Sequence, residues 1–283
     1  MARLPTSRAP RITRTLAISP RKRLDQLRLE TRQAEFALKV ASHAIGLHIA
    51  TKPLPDDSEF LICDAWRRIW RSYTCPARSG IPCFPSDEVI ASIKVDIKAH
   101  YSALFDIAEL LLPVHFDFRA SSSRNSVSHN SALASRLLET HRYAHTINSD
   151  TAALKKFQHD ILPEFIEQAW FFTALPAALR DDDSLVATRV PPYFKEDAFR
   201  QIPHEAIALA LTVIDLSIAT EYLGADGKPI DILLSDKGRD LYESNWKELK
   251  TWETESALAH ELPNFTSVRA TWFLTIATKF NEL

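Results

Sequence analysis

Residues Pro203 to Gly224 read PHEAIALALTVIDLSIATEYLG, and a chain carrying this run has few ways to fold. At 100° per residue, Ile207, Leu211, Ile214, Ile218 and Tyr222 form one apolar stripe, while Leu209, Val213 and Leu216 form a second on the opposite side. Both stripes need packing partners, so the run is expected to be a central helix wrapped by its neighbours. Its uninterrupted apolar part, Ala206 to Ile214, is far shorter than the ~20 residues that cross a bilayer. A core helix is predicted, not a membrane anchor.

The rest of the chain agrees with an all-α fold. Its 283 residues are 46% hydrophobic with six Trp, enough for a substantial core in a single domain. Only five Gly are present, and paired β-branched runs joined by Asn-Gly or Asp-Gly turns do not stand out. Asp226-Gly227 follows the central helix and reads as a helix end. The formal charge of −2 hides an asymmetry. Residues 1 to 24 hold seven Arg or Lys and no acid, leaving about −9 for the remainder.

Residues 1–23, with Pro5, Pro10 and Pro20 and few large apolar groups, are expected to be a disordered basic tail. Residues 24–283 then form the helical domain, of about eight or nine helices. One helical pattern runs from Leu24 toward Ile49. A second carries Ile62, Trp66, Ile69 and Tyr73 on one seam, with N-cap candidates at Asp56, Asp57 and Ser58. Ser86 caps a third, which Pro113 is expected to end. The composition of residues 120–131, rich in Ser and Asn, predicts a solvated internal loop. Helices are predicted over Ser131–His145 and Asp150–Ala174, with Pro163 kinking the latter or opening a new one. Ser235 and Pro263 are expected to open the last two helices.

Candidate chemistry is sparse. His141 and His145, four apart on the predicted helix, have the spacing of a metal pair, but Arg142 stands beside them and no catalytic Glu lies between. They are therefore expected to be exposed helix-surface histidines, and no metal or cofactor is predicted. Asp215 is the charge set into the apolar helix, and a carboxylate there must be paired, hydrated or protonated. The bland reading makes it a salt-bridge or capping partner at the core edge; the functional one makes Asp215, His204 and Tyr222 the lining of a pocket. His204 and Asp215 are about 16 Å apart along a straight helix, which excludes direct contact between them.

Arg21, Lys22 and Arg23 resemble a short nuclear import signal and offer weak contacts for nucleic acid. A nuclear or cytoplasmic location is expected ahead of a mitochondrial one, because three prolines interrupt an amphipathic presequence. Pro191-Pro192-Tyr193-Phe194 reads as a rigid connector. Cys63, Cys75 and Cys83 read as reduced thiols, a Cys75–Cys83 pair being the alternative.

Three segments carry a family likeness. Ile202-Pro203 followed by Ile207-Ala208-Leu209, Thr212 and Ile214 is one. Phe165-Ile166 with Trp170-Phe171 and Pro192-Tyr193-Phe194 is another, and Leu241-Tyr242, Asn245 and Leu249 the third, with Asn where the pattern often has His. Together they resemble an uncharacterised helical family abundant in mushroom-forming fungi and known only as a domain of unknown function. The resemblance covers residues 60 to 283, implies an all-helical domain and transfers no functional residue. The expected role is a helical protein-interaction or regulatory module with an unidentified protein partner. A small-molecule site beside residues 203–224 is the alternative, and association of the tail with nucleic acid a third reading.

Overall fold

The computed structural model describes residues 36–41, 44, 58–72, 81–120, 122–147, 154–172, 201–258 and 264–281. The expected tail, Pro191 to Phe194, Pro263 and Cys75 lie outside them. The described residues are predominantly helical, as the sequence predicts. Residues 36–41 are helical, and their Phe36 ring meets Trp66 edge-on at 4.6 Å. Helix α1 spans Ser58–Ser72 and α2 spans Asp87–His115. Helix α3 spans Arg124–Leu138, and a tight 3₁₀ segment, Glu139–Ala144, leads to a two-stranded antiparallel hairpin, β1 Thr146–Ile147 and β2 Leu154–Lys155. Then come α4, Ile161–Ile166, continued by a widened turn over Glu167–Phe172, and α5, His204–Tyr222. Helices α6, Pro229–Leu233, α7, Asp236–Leu258, and α8, Phe265–Asn281, complete the domain.

Helix α5 is the centre. Every residue from Ala206 to Ile218 is buried, and α2, α3, α4, α6 and α7 all pack on it. Each Leu or Ile so buried contributes about 1.5–3 kcal/mol relative to exposure. Helix α5 ends where Gly224 takes a left-handed φ of 68°, a conformation glycine adopts without steric penalty. A second apolar cluster, built on Phe36, Ile62, Trp66, Val89 and Ile93, joins the main core through the half-buried Ile97.

The capping reading holds at Ser86, whose hydroxyl accepts from the Val89 amide at 3.5 Å. At Ser235 it fails, because that hydroxyl turns back and donates to the Ile232 carbonyl at 2.6 Å. The last helix is capped by Asn264, whose Oδ1 accepts from the Thr266 amide at 2.9 Å. Helix α2 runs two residues past Pro113, which sits exposed in its final turn.

Two expectations require correction. The Ser-rich stretch predicted as a loop over 120–131 is mostly the start of α3. Ser123 uses its hydroxyl to cap the Ser126 amide at 3.3 Å, and Asn130 exchanges two 2.9 Å hydrogen bonds with the Arg119 backbone. With those polar groups satisfied, the helix buries Leu133, Ala134 and Leu137. Of the helix predicted over Asp150–Ala174, residues 154–160 are instead the β2 strand and the non-helical chain leading to Ile161, while residues 161–172 are helical. Pro163 lies in the first turn of α4, where its missing N–H costs nothing.

Candidate functional site at the His141–Asp215 pair

Asp215 is 6% exposed at the middle of the α5 buried face. Three side chains satisfy it. The Tyr143 hydroxyl donates to Oδ1 at 2.8 Å and lies 3.1 Å from the Leu211 carbonyl. His141 Nδ1 stands 3.2 Å from the same oxygen. From α7, Asn245 Nδ2 donates to Asp215 Oδ2 at 3.3 Å and to Thr212 Oγ1 at 3.1 Å, while the Thr212 hydroxyl donates to the Ala208 carbonyl at 2.8 Å. Asn245 Oδ1 is buried without a hydrogen-bond partner among the described residues. Asn245 occupies the position where the sequence pattern often has His.

His141 is not on a helical surface. It and Thr140 take consecutive left-handed conformations, φ 52° and 54°, each costing about 1–2 kcal/mol for a residue with a Cβ. The turn aims the His141 ring inward, edge-on to Tyr143, with its Nε2 3.6 Å from Glu248 Oε2 on α7. Burial opposes the charge on His141, but the hydrogen bond to Asp215 and the charges of Asp215 and Glu248 outweigh it, raising the imidazole above its ordinary value. Burial, reinforced by Asp215, pushes the Tyr143 phenol well above its usual range. The two nitrogens of His141 face separate carboxylates, so these groups do not converge on one ion.

His145 belongs to a different contact. Its Nδ1 accepts from the Phe157 amide at 3.0 Å, which fixes a neutral ring, and burial takes it down to about 4. The helix-surface expectation for both histidines thus fails, since the left-handed turn separates them and packs each inward.

The other two pocket candidates lie elsewhere. His204 is buried 3.2 Å from Glu253 Oε2, without hydrogen-bond alignment. Glu253 Oε1 receives the Thr266 hydroxyl at 2.9 Å and Arg269 Nη2 at 2.5 Å, and Arg269 Nη1 donates to the Ile202 carbonyl at 2.8 Å. Burial and then the Arg269 charge lower His204 to about 4. This ion pair ties α8 to α7 and to the entrance of α5. Tyr222 stacks on Phe118 with ring centres 3.8 Å apart. Asp215, His204 and Tyr222 thus occupy three separate environments along α5. Arg21, Lys22 and Arg23 lie outside the described residues.

One surface feature was not singled out from the sequence. On α2, Leu110 and Val114 are 62% and 71% exposed one turn apart, with the exposed Pro113 between them. Beside them Asp106, Glu109 and Glu221 are exposed and have no ion-pair partner among the described residues. Burial, then the charges of Glu221 and Asp106, push the Glu109 carboxyl up. The period of α2 permits an outward Leu–Val stripe, but the approach of Glu221 needs the tertiary fold.

An all-helical domain with a buried, internally paired polar centre is the class of protein these features define. Residues 39–252 match the family described as a domain of unknown function (DUF6532), and the chain belongs to that family. No curated protein and no solved structure matches the chain.

Proposed function

We propose that this domain is a helical protein-interaction module that works through the outward face of α2 and the adjoining end of α5. The supporting observation is the exposed Leu110–Val114 stripe set against three carboxylates without an ion-pair partner among the described residues, Asp106, Glu109 and Glu221. Exposed apolar side chains rimmed by charge favour a partner that covers the stripe and brings positive groups to the rim. Like charges that raise one another's proton affinity lose that repulsion when a cationic partner arrives.

A nuclear or cytoplasmic setting accompanies this reading, and the free thiols of Cys63 and Cys83 suit a reducing compartment. No described helix is long and apolar enough to cross a membrane. Ligand binding beside α5 is the weaker alternative, because Asp215 would first have to give up Tyr143, His141 and Asn245.

Proximity labelling in the native cell tests the reading, comparing the parent chain with Leu110→Asp/Val114→Asp. The expected result is a defined set of neighbours lost in the variant while its melting temperature is maintained. An identical set from a folded variant would contradict it.

A further inference from the structure

Glu139–Ala144 meets α5 through two side chains, Tyr143 and His141, and of these the His141 ring also reaches α7. His141 Nδ1 faces Asp215 of α5 at 3.2 Å and His141 Nε2 faces Glu248 of α7 at 3.6 Å. Only the doubly protonated imidazolium carries an N–H at both nitrogens; the neutral ring presents a lone pair to one of the two carboxylates. The backbone beneath the ring is left-handed at two successive residues, a conformation with a steric cost that the contacts of its side chains must offset.

Among the described residues few groups surround the ring, and the Tyr143 hydroxyl lies 3.4 Å from its Nδ1. Helix α5 supplies Asp215 and Thr212; α7 supplies Glu248 and Asn245. The segment itself supplies Tyr143, whose hydroxyl is on Asp215, and an exposed Arg142–Glu139 pair at 3.8 Å. His145, just beyond, is held neutral chiefly by burial and in part by the charge on His141. The turn leads directly into the hairpin, where Ile147 and Leu154 stand opposite one another, 70% and 47% exposed.

We propose that His141 is a charge-operated latch: its imidazolium fastens the left-handed turn to Asp215 and Glu248, and loss of its proton frees the turn and the hairpin behind it. The direction follows from the sign of the interaction. A histidine favoured in its charged form by the fold stabilises the closed turn below its unfolded value, and that stabilisation is lost as pH rises through the folded value. The latch is therefore closed at low pH and opens as the pH rises through the His141 midpoint, which lies above the ordinary imidazole value. It stands independently of the α2 surface, which lies on other residues.

Nuclear magnetic resonance on the full chain tests it directly. The His141 side chain is titrated from about pH 5 to about pH 9, and amide exchange is followed at His145 and His159, which bond to Arg142 and Ala144. Exchange rates are divided by unstructured-chain values so that base catalysis does not count. The expected result is a His141 midpoint above 6.5 and a loss of protection of about tenfold through that midpoint, with the α5 amides unchanged. In Glu248→Gln, a nearly isosteric change at a half-buried side chain that removes one of the two charges on the ring, the midpoint and the loosening should move together to lower pH. A midpoint at or below 6.5, or protection that ignores the midpoint in either protein, would overturn the latch.

Discussion

The Tyr143 hydroxyl donates to Asp215 Oδ1 at 2.8 Å across 72 residues of chain, out of contact with solvent. This bond joins the 3₁₀ segment to the centre of α5, and its two ends are not equal. Removing Tyr143 as donor leaves Asp215 with His141 and Asn245. Removing the carboxylate takes the nearer charge from His141 and leaves Tyr143 and Asn245 with only the Leu211 carbonyl and Thr212 as acceptors, three losses at once. Tyr143→Phe is expected to lower unfolding stability by about 1–2 kcal/mol and Asp215→Ala by about 3–5 kcal/mol. A urea double-mutant cycle should give a coupling above about 0.5 kcal/mol; strictly additive losses would show that the bond does not form.

Gly238 lies at the junction of α6 and α7, where a Cβ would sit 2.3 Å from the Leu233 carbonyl oxygen and 2.4 Å from that of Ile232. Backbone oxygens cannot swing aside as a side chain would. Gly238→Ala should therefore cost about 1–3 kcal/mol through forced displacement of the α6 end. Gly224→Ala meets no atom within 4 Å and pays only for its left-handed φ of 68°, about 1–2 kcal/mol. A urea midpoint lower for Gly238→Ala than for Gly224→Ala is the expected order.

Acid should weaken the fold through buried histidines, with a sign opposite to that of His141. His204 and His145 have folded values lowered to about 4, chiefly by burial. Each thus contributes stability that is present above its unfolded value near 6.5 and is lost as pH falls toward 4. The expected slope approaches 1.4 kcal/mol per pH unit for each histidine within that window. Thermal melts from about pH 7 to about pH 4 check it. His204→Gln should flatten the curve, and an unchanged slope would remove His204 as a contributor.

The central helix was legible because the apolar stripes on its two sides leave a single-face packing impossible. Asp215 was legible as a carboxylate needing partners, since one charge stood in an apolar run. Its actual partners were not, because Tyr143, His141 and Asn245 are 72, 74 and 30 residues away and only the fold joins them. His141 and His145 misled because four-residue spacing implies one face only if the backbone stays right-handed, and Thr140 and His141 do not. The Ser-rich stretch misled in a related way. Composition signalled solvent, while capping by Ser123 and the Asn130–Arg119 pair made a helix of it. The short hairpin carried no turn dipeptide by which to find it.

The buried position of residues 206–218 of α5 is tested most directly by native-state amide exchange resolved along the chain. Amides from Ala208 to Ile218 are expected to exchange only through global unfolding, with the same free energy as the urea transition. Exchange there at the rate of the exposed α8 surface would contradict a central helix packed on every side.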